Sequence, residues 1–133
     1  MRDPVATMIT QAKKALSHAY APYSNYQVAS CICADDDKLF IGVNVENSSY
    51  GLTVCAESSA ICQMIAAGRN KIKALIVMNG EGSLCQPCGA CRQRIAEFST
   101  PATLIHLCNH ETVLKSYSIN ELLPYAFKLR DCK

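Results

Sequence analysis

The chain has 133 residues, of which 50% are apolar and 18% are charged, and its formal net charge is +2 at pH 7. This length predicts one domain spanning residues 1–133, with a core that needs no disulfides. The weak net charge argues against a nucleic-acid partner, and no apolar run of about 18 residues is present to cross a membrane. The amphipathic stretch after the first four residues argues against a secretory signal. The high apolar fraction predicts a surface that meets another subunit.

The first half of the chain predicts a helix followed by a hairpin. Asp3-Pro4 is a typical helix start, and apolar residues recur at helical spacing from there to about Tyr20. Residues 27–34 and 38–46 are predicted strands, and the triple aspartate between them is the turn.

The second half predicts alternating helices and strands. After an irregular segment at 47–54, a helix over 55–67 is stopped by a glycine. The remaining predicted elements are a buried strand at 72–78, a helix at 88–98, strands at 102–108 and 112–117, and a short helix at 120–127. This order predicts an α/β fold, a three-layer α/β/α sandwich with a mixed five-stranded sheet.

Three cysteines have the spacing of a catalytic metal site. Cys55 lies at the start of one predicted helix, and Cys88 and Cys91 lie in the first turn of the next. Thiolates are stabilised at helix N-termini. A structural zinc site uses four protein ligands, whereas a catalytic site uses three and leaves the fourth position to water. The sequence therefore predicts one Zn²⁺ per chain with an open position.

Other arrangements of the cysteines remain open. Cys85 and Cys88 form a second C-x-x-C pair, which would suit a four-cysteine structural zinc or a redox dithiol, and a chain without metal is a further alternative. Cys88 and Cys91 are preferred because Pro87 places them on one helical turn. Four other cysteines lie in apolar runs and are predicted to be buried: Cys31, Cys33, Cys62 and Cys108. Cys132 is predicted to be a free thiol, and the nine cysteines together indicate a reducing, cytoplasmic location.

Glu57 distinguishes a catalytic zinc from a structural one. It lies two residues after Cys55, so the two share a face only if the entry to the helix is distorted. Zinc lowers the pKa of a bound water from about 15.7 towards about 7, and a general base must then carry the proton. Three thiolates and Zn²⁺ leave one net negative charge, which we expect Arg92, next to Cys91, to balance.

These segments together resemble the small, homotetrameric, zinc-dependent cytidine deaminases of pyrimidine salvage. The matching stretches are Ala-Pro-Tyr-Ser-Asn-Tyr at 21–26, Gly-Val-Asn-Val-Glu-Asn at 42–47, Cys-Ala-Glu at 55–57, Pro-Cys-Gly-Ala-Cys-Arg-Gln at 87–93 and Glu-Leu-Leu-Pro-Tyr-Ala-Phe at 121–127. The resemblance implies hydrolytic deamination of cytidine and 2′-deoxycytidine, with Cys55, Cys88 and Cys91 on zinc and Glu57 as the proton carrier.

The resemblance also implies which residues bind the nucleoside. Asn44 and Glu46, two apart on one strand, are expected to bind the ribose, and Tyr26 takes the place of a phenylalanine that packs on the nucleoside. Further substrate-binding positions are Ala56, Tyr50 and Phe127, the last two reaching the pocket of a neighbouring subunit.

One residue departs from the family pattern. Ser58 stands where these enzymes usually carry an arginine that hydrogen-bonds the ligand thiolates, which leaves the charge balance of the site open. Two rival functions are deamination of another nucleoside-like substrate, such as an antibiotic, and a non-catalytic zinc module. A nucleic-acid substrate is disfavoured because the chain lacks a basic extension.

Overall fold

The structure is a computed structural model that describes residues 3–129. In chain order its elements are α1 (Val5–Leu16), β1 (Val28–Ala34), β2 (Leu39–Val43), a 3₁₀ turn (Tyr50–Leu52), α2 (Ala56–Ala66), β3 (Ile72–Asn79), α3 (Gly89–Glu97), β4 (Ser99–Cys108), β5 (Val113–Ser118) and α4 (Ile119–Leu122). No helix within residues 3–129 is long and apolar enough to cross a membrane.

The five strands form one mixed sheet in the order β2-β1-β3-β4-β5. Neighbouring strands are antiparallel except β3 and β4, which pair in parallel with Leu75 opposite Ile105. A parallel pair needs a crossover, and here α3 provides it. The loop that precedes α3 therefore leaves the carboxyl end of β3.

Helices cover both faces of the sheet. On one face α1 packs through Met8, Ile9, Ala12 and Leu16 against inward side chains of β1 and β3. On the other face α2, α3 and α4 pack over a second apolar cluster that includes Ile32, Leu75, Val77, Ile105 and Leu107. Successive strand residues point to opposite faces. Both faces of the central strands are therefore buried, and the predicted α/β/α sandwich is confirmed.

Three predicted elements extend well beyond the corresponding elements of the structure. The helix α1 ends at Leu16 and not near Tyr20, because the chain turns so that Tyr20 can pair with Val45. The strand β2 ends at Val43, and Val45 beyond it forms two isolated bridges, to Tyr20 and to Val54. The terminal helix is one short turn, since Pro124 follows closely and disfavours helical conformation in the residue before it.

The cysteine predictions hold for three of the four cysteines in apolar runs. Cys31, Cys33 and Cys108 are buried, and burial raises the pKa of Cys31 to about 12 and that of Cys108 to about 11. Cys62 is exposed, contrary to the prediction. It lies on the outer face of α2, because Ile61 and Met64 occupy the face that packs on the sheet. Cys132 lies outside the described residues.

Gly42 fixes how closely α2 approaches the sheet. A Cβ atom at this position would lie 2.8 Å from the carbonyl carbon of Ser59, and closer still to the backbone of Ala56 and Ala60. Only glycine leaves room for this contact. The first turns of α2 therefore rest directly on the backbone of β2, and this contact sets the position of the residues at the helix start.

Candidate metal centre and active site

The two ligand segments come together at the N-termini of α2 and α3. Cys55 is the N-cap of α2, and Cys88 is the N-cap of α3, where its Sγ accepts a hydrogen bond of 3.3 Å from the Cys91 backbone N–H. The Sγ atoms of Cys55, Cys88 and Cys91 all lie within 4.8 Å of one another. The fold thus brings Cys55 together with Cys88 and Cys91, as predicted.

This cluster fits zinc in both chemistry and dimensions. Zn–S bonds of about 2.3 Å in a tetrahedral site place sulfurs about 3.8 Å apart, a spacing that a cluster confined to 4.8 Å can adopt. Unpaired N–H groups at two helix N-termini stabilise the thiolates. Within residues 3–129, Cys85 does not belong to the cluster. A bound zinc ion would therefore have three protein ligands and one open position.

The pKa values of two cysteines in the cluster shift in opposite directions. A hydrogen bond from Cys91 lowers the pKa of Cys55 to about 6, with further lowering by Cys88 and by the charge of Arg94. The same hydrogen bond raises the pKa of Cys91, and burial raises it further. This hydrogen bond therefore favours the ionised form of Cys55 and the protonated form of Cys91.

Glu57 is buried beside these thiols, with only 5% of its surface exposed. Cys55 has extended backbone angles, φ −71° and ψ 154°, so residues 55 and 57 turn towards one site despite their i, i+2 spacing. The distortion that the i, i+2 spacing requires is therefore the extended backbone of Cys55 at the N-cap of α2. Burial raises the pKa of Glu57, and the neighbouring Cys55 thiolate raises it too, whereas Cys91 and Arg94 oppose the shift. A buried carboxyl group with a raised pKa is suited to both accepting and releasing a proton during a reaction.

Arg92 is anchored beside the ligand loop, and its charge-balancing role stays a prediction. Its Nε donates to the carbonyl of Pro87 at 2.9 Å, and its Nη1 donates to the carbonyl of Leu122 at 3.0 Å. The guanidinium therefore ties the ligand loop to the end of α4. Arg94, which was not among the predicted site residues, is the arginine whose charge contributes to lowering the pKa of both Cys55 and Glu57. The signal for Arg94 in the sequence was its position about one helical turn after Cys91.

Asn44 and Glu46 organise the backbone of residues 23–28. The Asn44 side chain accepts from the Val28 N–H at 2.9 Å and donates to the Tyr26 carbonyl at 2.8 Å. Glu46 accepts from the Tyr23 N–H at 3.0 Å and from the Ser24 N–H at 3.1 Å, and it also accepts from the Ser24 hydroxyl. The bonds from Ser24 lower the pKa of Glu46 and hold it ionised.

Tyr26 finds partners for the hydroxyl that distinguishes it from phenylalanine. The buried Asn79 donates to this hydroxyl through Nδ2 at 2.9 Å and donates to Ser83 Oγ at the same distance. Interaction with the Cys85 thiol raises the pKa of Tyr26. Asn79 and Cys85 thus connect the aromatic ring to the loop before the ligands, and neither role was anticipated from the sequence.

The remaining candidate residues lie at different depths. Ala56 is buried at the first position of α2, whereas Tyr50 and Phe127 are 81% and 62% exposed. Tyr50 shares a cleft of about 350 Å³ with Glu46 and Asn47. Phe127 is not among the residues that line this cleft; its carbonyl accepts from Gln93 Nε2 at 3.1 Å.

Comparison with known proteins identifies the family. Residues 3–107 match the family model for the cytidine and deoxycytidylate deaminase zinc-binding region. The chain is 38% identical over 127 residues to the cytidine deaminase of Sporosarcina psychrophila, covering 96% of this chain and 93% of that protein. It is 40% identical over 129 residues to the cytidine deaminase of Mycoplasma genitalium, covering 96% of this chain and 98% of the relative.

Solved structures agree with the sequence relatives. The crystal structure of cytidine deaminase from Mycobacterium tuberculosis aligns with a TM-score of 0.84 at 35% identity, covering 96% of this chain and 100% of that one. The cytidine deaminase from Burkholderia pseudomallei gives 0.84 at 41% identity, covering 91% and 97%. The fold, the zinc-binding cysteines and the relatives agree, and the chain belongs to the cytidine and deoxycytidylate deaminase family.

Proposed function

We propose that this chain catalyses the hydrolytic deamination of cytidine and 2′-deoxycytidine to the corresponding uridines, with release of ammonia. The observation that carries the proposal is Glu57, a buried carboxyl group beside three cysteines that leave one zinc position open. A structural zinc module needs a fourth ligand and has no use for a buried carboxylate at this place.

Proton transfer by Glu57 is the central step of the proposed reaction. When bound by Cys55, Cys88 and Cys91, zinc would acidify a water and so supply the nucleophile for C4 of the base. The Glu57 carboxylate accepts one proton of that water and delivers it to N3. It then moves the proton of the new C4 hydroxyl to the exocyclic nitrogen, and ammonia leaves. The raised pKa of Glu57 suits a group that must accept and give a proton in each cycle.

Asn44 and Glu46 are the proposed ribose-binding residues. A carboxylate has about four acceptor sites, and the bonds from Tyr23 and Ser24 occupy three of those on Glu46. One site is left for a sugar hydroxyl. Asn44 likewise has a second amide hydrogen beyond the one donated to Tyr26. Because these side chains are already fixed, binding the sugar costs little side-chain entropy.

Tyr26 and Ala56 are proposed to contact the nucleoside. Tyr26 is held by Asn79 and keeps 38% of its surface exposed, so its ring is both fixed and available. Ala56 is the first residue of α2, and its amide N–H has no acceptor within the helix. That donor supports the proposed contact with the nucleoside.

We further propose a homotetramer in which subunits share pockets through Tyr50 and Phe127. Both are exposed aromatic residues, and Tyr125 near the end of the described chain is 98% exposed. Exposed aromatic side chains are typical of a surface that another chain covers. The proposed location is the cytoplasm, where the eight described free cysteines stay reduced, and the proposed role is pyrimidine salvage.

Ammonia release from cytidine and 2′-deoxycytidine by the zinc-loaded full chain tests the proposal. Glu57→Gln should keep about one zinc per chain and lose at least about 10²–10⁴-fold in turnover, because the proton carrier is gone. Glu111→Gln, a change at an exposed glutamate before β5, is the matched control and should retain activity. A Glu57→Gln enzyme that turns over at the parent rate would refute the assignment.

A further inference from the structure

Tyr26 is fixed at three points, and two of them lead to the proposed ribose-binding residues. Its carbonyl accepts from Asn44 Nδ2 at 2.8 Å. Its N–H donates to Ser24 Oγ at 3.0 Å, and the Ser24 hydroxyl in turn donates to Glu46. Ser24 and Glu46 both line the cleft of about 350 Å³. The backbone of Tyr26 is therefore set by the same side chains that form this part of the site.

The third point is the hydroxyl of Tyr26, which bonds to Asn79 at the end of β3. Asn79 Nδ2 donates to this hydroxyl at 2.9 Å, and Asn79 is completely buried. The hydroxyl of Tyr26 therefore has its partner inside the protein. Since 38% of the Tyr26 surface is exposed, the aromatic ring is the part of this side chain that remains for a ligand.

Asn79 is itself held in place, so the direction of its amide hydrogens is fixed. Its Oδ1 accepts from the N–H groups of Glu81 at 3.1 Å and Ser83 at 3.0 Å, which caps the turn after β3. Its carbonyl accepts from His110 Nε2 at 3.0 Å. One Nδ2 hydrogen goes to Tyr26, and the other goes to Ser83 Oγ at 2.9 Å. A buried amide with all these bonds made cannot rotate without leaving polar groups unpaired, which is costly.

We propose that Asn79 is a positioning residue for the substrate, which holds the Tyr26 ring in its binding orientation through the Tyr26 hydroxyl. The inference rests on the proposed function, because it takes Tyr26 as a residue that contacts the nucleoside. Asn79 is fully buried and so acts only through Tyr26. A ring that is already fixed needs no ordering when the nucleoside binds, whereas ordering a mobile side chain weakens binding by about 3–10-fold.

The kinetics of ammonia release from cytidine test this inference with Asn79→Ser in the zinc-loaded full chain. A serine hydroxyl can still cap the turn, more weakly, but it is too short to reach Tyr26. We expect KM to rise about 3–10-fold, with kcat within about twofold of the parent, because a contact made equally in the ground and transition states affects KM alone. Tyr26→Phe leaves the turn intact and should give the same pattern.

Two comparisons separate this role from a loosening of the turn. Asn79→Ser should add less than about twofold to the KM of Tyr26→Phe, because both changes remove the same hydrogen bond. Ser83→Ala removes the other bond of Asn79 Nδ2, which is also 2.9 Å long, and leaves the Tyr26 hydroxyl untouched. The KM of Ser83→Ala should therefore stay within about twofold of the parent.

A KM within about twofold of the parent for either Asn79→Ser or Tyr26→Phe would overturn the inference, as would an equal rise in Ser83→Ala. If Asn79→Ser does not fold, Tyr26→Phe and Ser83→Ala still decide the question. A failure of the proposed function looks different, because the parent chain itself then releases no ammonia from cytidine. Equilibrium dialysis with cytidine replaces KM in that case, and binding that is absent, or equal in parent and variants, contradicts the inference.

Discussion

Replacing Gly42 with alanine tests how the sheet positions the active site. The new methyl group would lie 2.8 Å from the Ser59 carbonyl carbon and closer to backbone atoms of Ala56 and Ala60. Relaxed contacts between carbon atoms lie at about 3.5–4.0 Å. Since these neighbours are backbone atoms that cannot rotate away, α2 must retreat from β2 by about 1 Å.

This displacement predicts a loss of both stability and activity. Overpacking a core by a methylene costs about 1–3 kcal/mol, and the rigid backbone neighbours place Gly42→Ala at the upper end, about 3 kcal/mol. The start of α2 carries Cys55 and Glu57, whereas their partners Cys88 and Cys91 belong to α3 and do not move with it. A misplacement of about 1 Å costs about 10²-fold in rate when reacting groups must be aligned.

Urea unfolding and ammonia release measure the two effects in one preparation. Gly80→Ala is the matched control, because a Cβ at that glycine makes ordinary contacts of 3.7 Å with Gln27. It should change the free energy of unfolding by less than about 1 kcal/mol. If Gly42→Ala matches Gly80→Ala in stability and in turnover, the close seating of α2 on β2 is not what aligns the site.

Two further predictions concern protons and hydrogen bonds at the site. Zinc binding near pH 7.5 should release at least one proton, from Cys91 with its raised pKa, while Cys55 with its pKa of about 6 is already ionised. Affinity should therefore fall as pH falls, and calorimetry in buffers of different ionisation enthalpy will detect the release; a heat independent of buffer contradicts this. Tyr26→Phe should lower stability by about 0.5–1 kcal/mol in urea unfolding, because it removes the acceptor of the Asn79 hydrogen bond. Tyr125→Phe, at a fully open position, is its control, and equal stability of the two variants would contradict the role of that bond.

Local patterns in the sequence were sufficient for much of the fold and for the metal cluster. Helical and strand periodicity gave the element order, because the central strands are buried on both faces and read as apolar runs. Pro87 before Cys88 indicated which cysteine pair begins a helix, and the structure brings that pair to Cys55. The family prediction, which relied on five separated motifs, is confirmed by the comparisons.

Features that depend on two elements coming together in the fold could not be predicted from the sequence. The charge of Arg94 contributes to lowering the pKa of Cys55, which lies far from it in the chain, so the sequence alone did not identify Arg94. Cys62 lies in an apolar run but faces outward. A run of small and apolar residues does not define which face of the helix packs, so the sequence pattern could not predict this exposure. The assigned roles of Asn44, Glu46, Tyr26, Tyr50 and Phe127 stay predictions until substrate binding is measured.

The separation of Cys85 from the metal cluster has a consequence for how the protein acquires zinc. In an unfolded chain Cys85, Cys88 and Cys91 form two overlapping C-x-x-C pairs of equal reach, and thiols of an unfolded chain bind metal as well. Only the native backbone distinguishes them, by starting α3 at Gly89 and bringing Cys55 from another part of the chain. Zinc that arrives before folding can thus occupy the wrong pair and delay the native arrangement. The order of the two events, folding first and metal second, favours the active enzyme.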